Sequence, residues 1–375
     1  MVVLTSGHEA LDARVYGREA SSLAELGFDI VVVGTWTRGS PGRVPVIPIP
    51  ASRSRVTRFT LQPWRCLWAA RHLRPDIVHF HDAELLAVLP LARLMWRRAK
   101  FVYDVHEDFG NLMMVRDWLP DAAKPAVRFL TDACERALSR FAHGIVAVTP
   151  PLAEKFAHRM KVVAFNFATE RFFEQASRHV RPPAEREYDI VHVGTLNRRR
   201  AAFLAEVIRA YHSLKPGARS LVLGGDEKVV NEAFQSRPDG CEIRRKVPFD
   251  EIPAFLGNAK VGIDVHPWFA PHLAPALANK VCEYMACGCA VVASAMPVLD
   301  ACIEGSGLEP RAIIRIRGGQ PRDFAEAAVR LVQEVEAGRD PGASLRLFAR
   351  KSMNWSTEAI KLARFYRELL GAKHA

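Results

Sequence analysis

The 375-residue sequence lacks any run of about 18 apolar residues, the length a helix needs to cross a bilayer, so no membrane-spanning helix is expected. Its opening, MVVLTSGHEALD, has neither the basic region nor the long apolar core of a secretory signal, and a cytoplasmic location is expected. Cysteine is sparse: Cys66, Cys134, Cys241, Cys282, Cys287, Cys289 and Cys302. Their number is odd and most lie among apolar residues, which argues for reduced, buried thiols rather than a disulfide framework. Cys287 and Cys289 have no second metal-spaced pair elsewhere, so no zinc site and no cofactor is expected. No recognised nucleic-acid motif accompanies the positive charge, and nucleic acid is not expected as a partner.

What the chain does contain is the composition of a soluble globular protein, 49% apolar and 25% charged, with length for two domains. The net charge of +11 fits phosphorylated small molecules or an anionic membrane surface. Arg53, Arg55, Arg58, Arg65, Arg71 and Arg74 gather around Trp64 and Trp68, and Arg93, Arg97, Arg98 and Lys100 around Trp96. Arginine interleaved with tryptophan at helical spacing suits a membrane interface. A solvated basic face with the tryptophans in the core fits the same spacing.

Short apolar runs alternate with helical periodicity along nearly the whole chain. Strands are predicted at Val2–Thr5, Phe28–Gly34, Val44–Ile49, Asp76–His81, Phe101–Val105, Gly144–Thr149 and Lys161–Phe165. A charged stretch with Pro182-Pro183 and no clear periodicity then reads as a linker over 171–187. The alternation restarts with strands at Tyr188–Val193, Ser220–Gly224, Cys241–Arg245, Lys260–Val265, Cys289–Ala293 and Ala312–Ile316. The expected organisation is an α/β fold of two Rossmann-like, doubly wound parallel-sheet domains, 1–170 and 188–355, facing a cleft. A final helix over 356–375 is expected to pack back on the first domain. Ligands of such folds sit beyond the carboxyl ends of strands, which directs attention to His8, His81, His106, Gly194, Gly225 and His266.

The stretch Leu277–Ser294, LANKVCEYMACGCAVVAS, reads as a helix closed by Gly288 and feeding a buried strand. Lys280 and Glu283, three apart, share a face near the helix start, where an anion is favoured. A cation and a diol-binding carboxylate side by side suit a nucleotide-sugar. The pair reads equally well as a surface ion pair on an ordinary helix.

FVYDVHED at Phe101–Asp108, VGTL at Val193–Leu196 and ANKVCEYMACGCAVVAS at Ala278–Ser294 together resemble family 4 glycosyltransferases of the GT-B fold. So do TSGHEALDARVYGREASSLAELGFDIVVV near the start and NWSTEAIKLARFYRELL near the end. The resemblance implies retaining transfer of a sugar from a UDP- or GDP-sugar donor, without a bound metal. The acceptor would be a saccharide or a lipid-linked saccharide, in exopolysaccharide or lipopolysaccharide synthesis, with the enzyme peripheral at an anionic membrane face. By position, Glu283 would hold the donor ribose, with Asn279 and Lys280 beside it, and His106 would act catalytically near the reacting carbon. Gly7 and Gly194 match glycine turns where backbone approaches donor or acceptor. Arg200 matches a diphosphate-binding arginine, with Arg198 and Arg199 as neighbours of the same type. The sequence departs from the family at Pro275, where many members carry a first glutamate, so Pro267–Pro275 would have to meet the donor sugar otherwise. A nucleotide-sugar 2-epimerase-like enzyme and a non-catalytic nucleotide-sugar-binding scaffold fit the same residues as alternatives.

Overall fold

The structure is a computed structural model that describes residues 1–36, 39–52, 54–116, 118–266, 271–308 and 312–371. Arg53 and the Pro267–Ala270 part of the expected sugar-contacting segment, with Trp268, lie outside the described residues. The chain divides into two compact units, Met1–Asn166 with Trp355–Ala375 (the N-unit) and Phe167–Asn354 (the C-unit).

The N-unit is built on seven strands: β1 (Val2–Glu9), β2 (Val31–Thr35), β3 (Val46–Ile49), β4 (Ile77–Phe80), β5 (Lys100–Val105), β6 (Gly144–Ala147) and β7 (Lys161–Val163). All pairings are parallel, in the order β3-β2-β1-β4-β5-β6-β7. Both faces are covered, which is why the strands are near-continuous β-branched and aromatic runs. Leu4, Phe80 and Tyr103 pack on one face. Val3, Val32 and Val102 pack on the other, under the last helix, Trp355–Leu369. Trp355 anchors that helix by donating from Nε1 to Arg18 O at 3.1 Å and Ser22 Oγ at 2.9 Å.

The C-unit repeats the plan with β8 (Tyr188–Val193), β9 (Ser220–Leu223), β10 (Cys241–Arg244), β11 (Ala259–Asp264), β12 (Ala290–Ser294) and β13 (Ile313–Ile316), all parallel. The order is β10-β9-β8-β11-β12-β13. Strand order reverses between β1 and β4 in one unit and between β8 and β11 in the other. Each reversal leaves a crevice beyond the strand ends, the usual ligand position of such sheets.

Three sequence expectations change. The strand expected at Val2–Thr5 runs on through Ser6-Gly7-His8 to Glu9, with a register break between Leu4 and Glu9. The stretch read as a linker contains a helix, Glu170–His179, capped by Thr169 and burying Phe172, Phe173 and Ala176. Its apolar stripe is three residues in a charged segment, too thin to register as periodicity, yet it packs on the Ile252–Leu256 helix of the C-unit. After β1 the chain makes a wide, π-type turn, Ala13–Ala20, whose start is capped by the Asp12 carboxylate through Arg14 and Val15 N. The tryptophans also divide. Trp96 is 8% exposed and donates to Leu73 O, whereas Trp64 and Trp68 are 53% and 67% exposed.

Candidate functional site

In the C-unit the crevice between β8 and β11 is organised by Asp264, the last residue of β11 and fully buried. Lys280 Nζ lies 3.3 Å and Arg200 Nη2 3.4 Å from its Oδ1, and His266 Nε2 lies 3.4 Å from its Oδ2. Burial raises the Asp264 carboxyl, but Lys280, His266 and Arg200 overcome it and hold the group well below the usual carboxylate range. Burial lowers Lys280 below its ordinary value, against the pull of Asp264.

Arg200 is set by the start of the Arg198–Leu214 helix, where Asn197 caps its backbone amide at 2.9 Å. Its Nε donates to Val265 O at 3.0 Å. Arg198 instead reaches Glu232 and is largely exposed. Of the run Arg198–Arg200, the structure therefore turns Arg200 toward the crevice. Lys280 and Glu283 stand on the Asn279–Ala286 helix, Glu283 buried and Asn279 exposed at the first position. Ala278 gives that helix start no side-chain cap, and a helix start is an end that favours an anion.

Two further groups hold this arrangement. Tyr284 OH accepts from Val193 N at 3.0 Å and donates to Ile263 O at 3.2 Å, tying β8 to β11. Gly262 makes room for its ring. Ser294 Oγ accepts from His266 N at 2.7 Å and donates to His266 O at 3.1 Å, fixing the chain beyond β11. Gly194 ends β8 with a φ of +115°, a conformation that favours glycine, and a Cβ there would stand 3.6 Å from Lys280 Nζ.

In the N-unit the organiser is Asp82, just after β4 and fully buried. Its Oδ2 accepts from Thr5 Oγ1 at 2.8 Å, Ser6 N at 2.8 Å and Gly7 N at 2.9 Å, and its Oδ1 meets His8 Nδ1 at 2.9 Å. The Gly7 amide, expected to face donor or acceptor, is thus engaged by Asp82. What Gly7 contributes is space: a Cβ would fall 2.2 Å from Arg58 Nη2 and 2.6 Å from Asp82 Oδ1. Burial works to lower His8, but the hydrogen bond and charge of Asp82 outweigh it and push the imidazolium up to about 9.

His106 follows β5. Its Nδ1 lies 3.3 Å from Asp104 Oδ1, its ring centroid is 4.9 Å from that of His8, and its buried Nε2 has no hydrogen-bond partner among the described residues. Asp104 belongs to a buried network that sequence reasoning did not assemble. Arg14 Nη2 lies 2.6 Å from Asp104 and 2.7 Å from Glu19, and His79 and His81 stack between them, with Tyr366 bonded to His79 Nδ1. Glu19, His79, His81 and Asp104 offer ligand atoms within 4.8 Å of one another, as metal sites do. Here the Arg14 guanidinium supplies the positive charge between the carboxylates. One hint in the sequence is His79-x-His81, two residues apart at the end of β4. Of the acidic residues after β5, Asp108 caps Asn111 and pairs with Lys155 at 2.9 Å.

Two doubly wound parallel sheets, each with buried charged groups at its switch point, are the architecture of the GT-B glycosyltransferases. A family model described as a glycosyl transferase 4-like domain matches residues 13–164, and one described as glycosyl transferases group 1 matches residues 187–334. The chain belongs to this glycosyltransferase family. None of the curated proteins matches it in sequence. Among solved structures, sucrose-phosphate synthase from Thermosynechococcus elongatus is similar with a TM-score of 0.71 at 15% identity, over 99% of each chain. Anabaena HepE in complex with UDP-glucose is similar with a TM-score of 0.70 at 13% identity, over 98% of this chain and 99% of its own. An alpha-glucosyltransferase in complex with UDP and a 13-mer DNA gives 0.64 at 11% identity, over 98% of each chain. At such identities the likeness is one of fold.

Proposed function

We propose that the protein transfers a hexose-type sugar, with retention, from a nucleotide-sugar to a saccharide or lipid-linked saccharide, in exopolysaccharide or lipopolysaccharide synthesis. The observation that carries the donor half is the Arg200–Asp264–Lys280 cluster at the C-unit switch point, with Glu283 one helical turn from Lys280. Two cations held on one carboxylate present their remaining N–H groups to a diphosphate. As the glycosidic bond breaks, negative charge grows on that diphosphate, and preplaced cations stabilise it without reorganising. The uncapped helix start adds backbone donors. Glu283 accepts from both ribose hydroxyls. UDP is the favoured nucleotide, because HepE, of the same fold, was solved with UDP-glucose. His106 supplies an unpaired Nε2 for the sugar near its reacting carbon.

A peripheral position at an anionic membrane belongs to the same reading. Trp64, Trp68 and Phe59 are exposed on a stretch, 54–74, that carries five arginines and no acidic residue. Flotation with anionic liposomes at low salt is the test, and protein left entirely at the bottom of the gradient removes the membrane claim. For the donor, calorimetric titration with UDP, GDP, ADP and CDP, with and without magnesium, should show metal-independent binding of UDP. Folded protein that binds none of the four refutes the donor site.

A further inference from the structure

The buried cluster around Asp104 leaves ligand atoms over. Glu19 belongs to the π-type turn Ala13–Ala20, whose i→i+5 winding brings Arg14 and Glu19, five apart, to one side. His79 and His81 stand at the end of β4 with their rings stacked, centroids 4.5 Å apart. Asp104 comes from β5. Glu19, His79, His81 and Asp104 are each at most 1% exposed. Arg14 meets Glu19 through Oε1 and Asp104 through Oδ2, so one guanidinium faces two carboxylates. Glu19 Oε2, His79 Nε2 and both ring nitrogens of His81 are left with no hydrogen-bond partner among the described residues. Buried polar atoms are rarely left so, and three neighbouring side chains leaving them together points to something they hold jointly.

Those atoms face one another. His81 Nε2 lies 3.3 Å and His79 Nε2 3.7 Å from Glu19 Oε2, and His79 Nε2 lies 3.7 Å from Asp104 Oδ2. The ligand atoms of all four residues fall within 4.8 Å of one another. Four-coordinate zinc, with bonds of about 2.0–2.1 Å, sets its ligands about 3.3–3.4 Å apart, close to the spacing already present. The outer partners are in place as well. Tyr366 bonds to His79 Nδ1, which turns Nε2 into the cluster, and Asp104 Oδ1 meets His106 Nδ1 and Arg14 Nε, each at 3.3 Å. Such partners orient metal ligands. The set is imidazole and carboxylate without thiolate, so it owes nothing to the cysteines. A second group, His8, Asp82 and His106, has comparable spacing, but there His8 Nδ1 and Asp82 Oδ1 already bond to each other at 2.9 Å.

We propose that Glu19, His79, His81 and Asp104 hold a divalent zinc ion in the core of the N-unit. Glu19 Oε2, His79 Nε2 and His81 Nε2 supply three ligands, and Asp104 Oδ2 supplies the fourth through the lone pair that Arg14 leaves. The ion ties the Ala13–Ala20 turn to β4 and β5 and, through His79 and Tyr366, to the last helix. Through Asp104 it also fixes the ring of His106. The site goes beyond the glycosyltransferase reading and does not depend on it.

The test is metal analysis of untagged full-length protein produced with zinc in the medium and dialysed against EDTA. The parent should keep about one zinc per chain, because a site without exposed ligands exchanges only when the unit opens, and should release it in urea. Refolding with Co2+ in place of zinc should give the visible absorption of a four-coordinate ion. Glu19→Gln, nearly isosteric, and His81→Gln should each fall to about a tenth of an equivalent or less and lose the cobalt band. Where one of them fails to fold, the other decides. His8→Gln should keep the full equivalent. Parent protein that holds no zinc even after refolding with it overturns the proposal. So does folded Glu19→Gln or His81→Gln that retains zinc as the parent does, and zinc lost from His8→Gln alone assigns the ion to the other group and overturns it too.

Discussion

Replacing Asp82 by Asn tests whether one buried carboxylate organises the N-unit switch point. Asp82 takes four hydrogen bonds, three on Oδ2 and one on Oδ1. An asparagine oxygen can still accept from Thr5, Ser6 and Gly7, so what is lost is chiefly the charge. Bonds to a charged group contribute about 1 kcal/mol more apiece than neutral ones, which over four gives a loss of about 3–4 kcal/mol. That matches the usual cost of about 3–5 kcal/mol for removing one partner of a buried ion pair. The pH dependence is the sharper signature. His8 rises from 6.5 to about 9 on folding, so its contribution is fully present below pH 6.5 and is lost as pH climbs through about 9. The full linkage is about 3 kcal/mol, which becomes about 2 kcal/mol because a third of the ring is open to screening solvent. In Asp82→Asn the two largest raising causes are gone and burial is opposed only by the charges of Asp12 and Glu107, so His8 comes down and most of that loss disappears. Urea unfolding at pH 6 and pH 9.5, followed by tryptophan fluorescence, reads the N-unit, since every tryptophan except Trp268 belongs to it. The parent should lose about 2 kcal/mol more than the variant across that interval. Identical losses, or a His8 NMR titration that stays put in the variant, would refute the reasoning.

In the C-unit, Glu283→Ala should weaken UDP-sugar binding by about 2–3 kcal/mol, the scale of unmatched hydrogen bonds to a charged group, and calorimetry against UDP-glucose measures it. His106→Ala should lower turnover at saturating donor while UDP affinity stays within about twofold, because the residue belongs to the other unit; a matching loss of UDP affinity would place it in nucleotide binding instead. Gly262→Ala puts a Cβ 2.3–2.8 Å from Tyr284 ring atoms. It should cost about 1–3 kcal/mol by overpacking and should also weaken UDP, since Tyr284 holds β8 against β11. A thermal melt and one titration check both halves, and an unaltered melting temperature would show that the ring has room to move.

The sheets could be read because buried parallel strands need nearly unbroken apolar, β-branched runs, and runs such as DIVHF and GIVAV have no competing interpretation. The same property hides orientation. Trp64, Trp68 and Trp96 sit in similar arginine-rich stretches, yet what each meets across the fold puts only Trp96 in the core. The Glu170–His179 helix shows the converse, a stripe too thin for periodicity but sufficient once a partner helix covers it. Site residues fared by the same logic. Lys280 and Glu283 lie on one helix turn and can be paired by counting. Arg58, Asp82 and Asp264 matter chiefly through partners well apart in the chain, such as Thr5 for Asp82 and Arg200 for Asp264, which spacing does not encode.

One local signal was nonetheless present twice. Asp-Val-His leaves the end of β5 as Asp104–His106 and the end of β11 as Asp264–His266. Alternation brings residues two apart to one side of a strand, and in both places the histidine returns to the aspartate, at 3.3 Å and 3.4 Å. In both, an arginine from the first helix after the unit's opening strand crosses to the same aspartate: Arg14 to Asp104 and Arg200 to Asp264. The two copies differ in what surrounds the arginine. Arg14 is buried and is claimed by a second carboxylate, Glu19, so its charge is spent inside the protein. Arg200 is partly exposed and shares its one carboxylate with Lys280, which leaves cationic N–H groups facing the crevice. The same tripeptide therefore sits in a buried ion-paired core in one unit and, in the other, beside two cations on one carboxylate, the arrangement on which the proposed donor site rests.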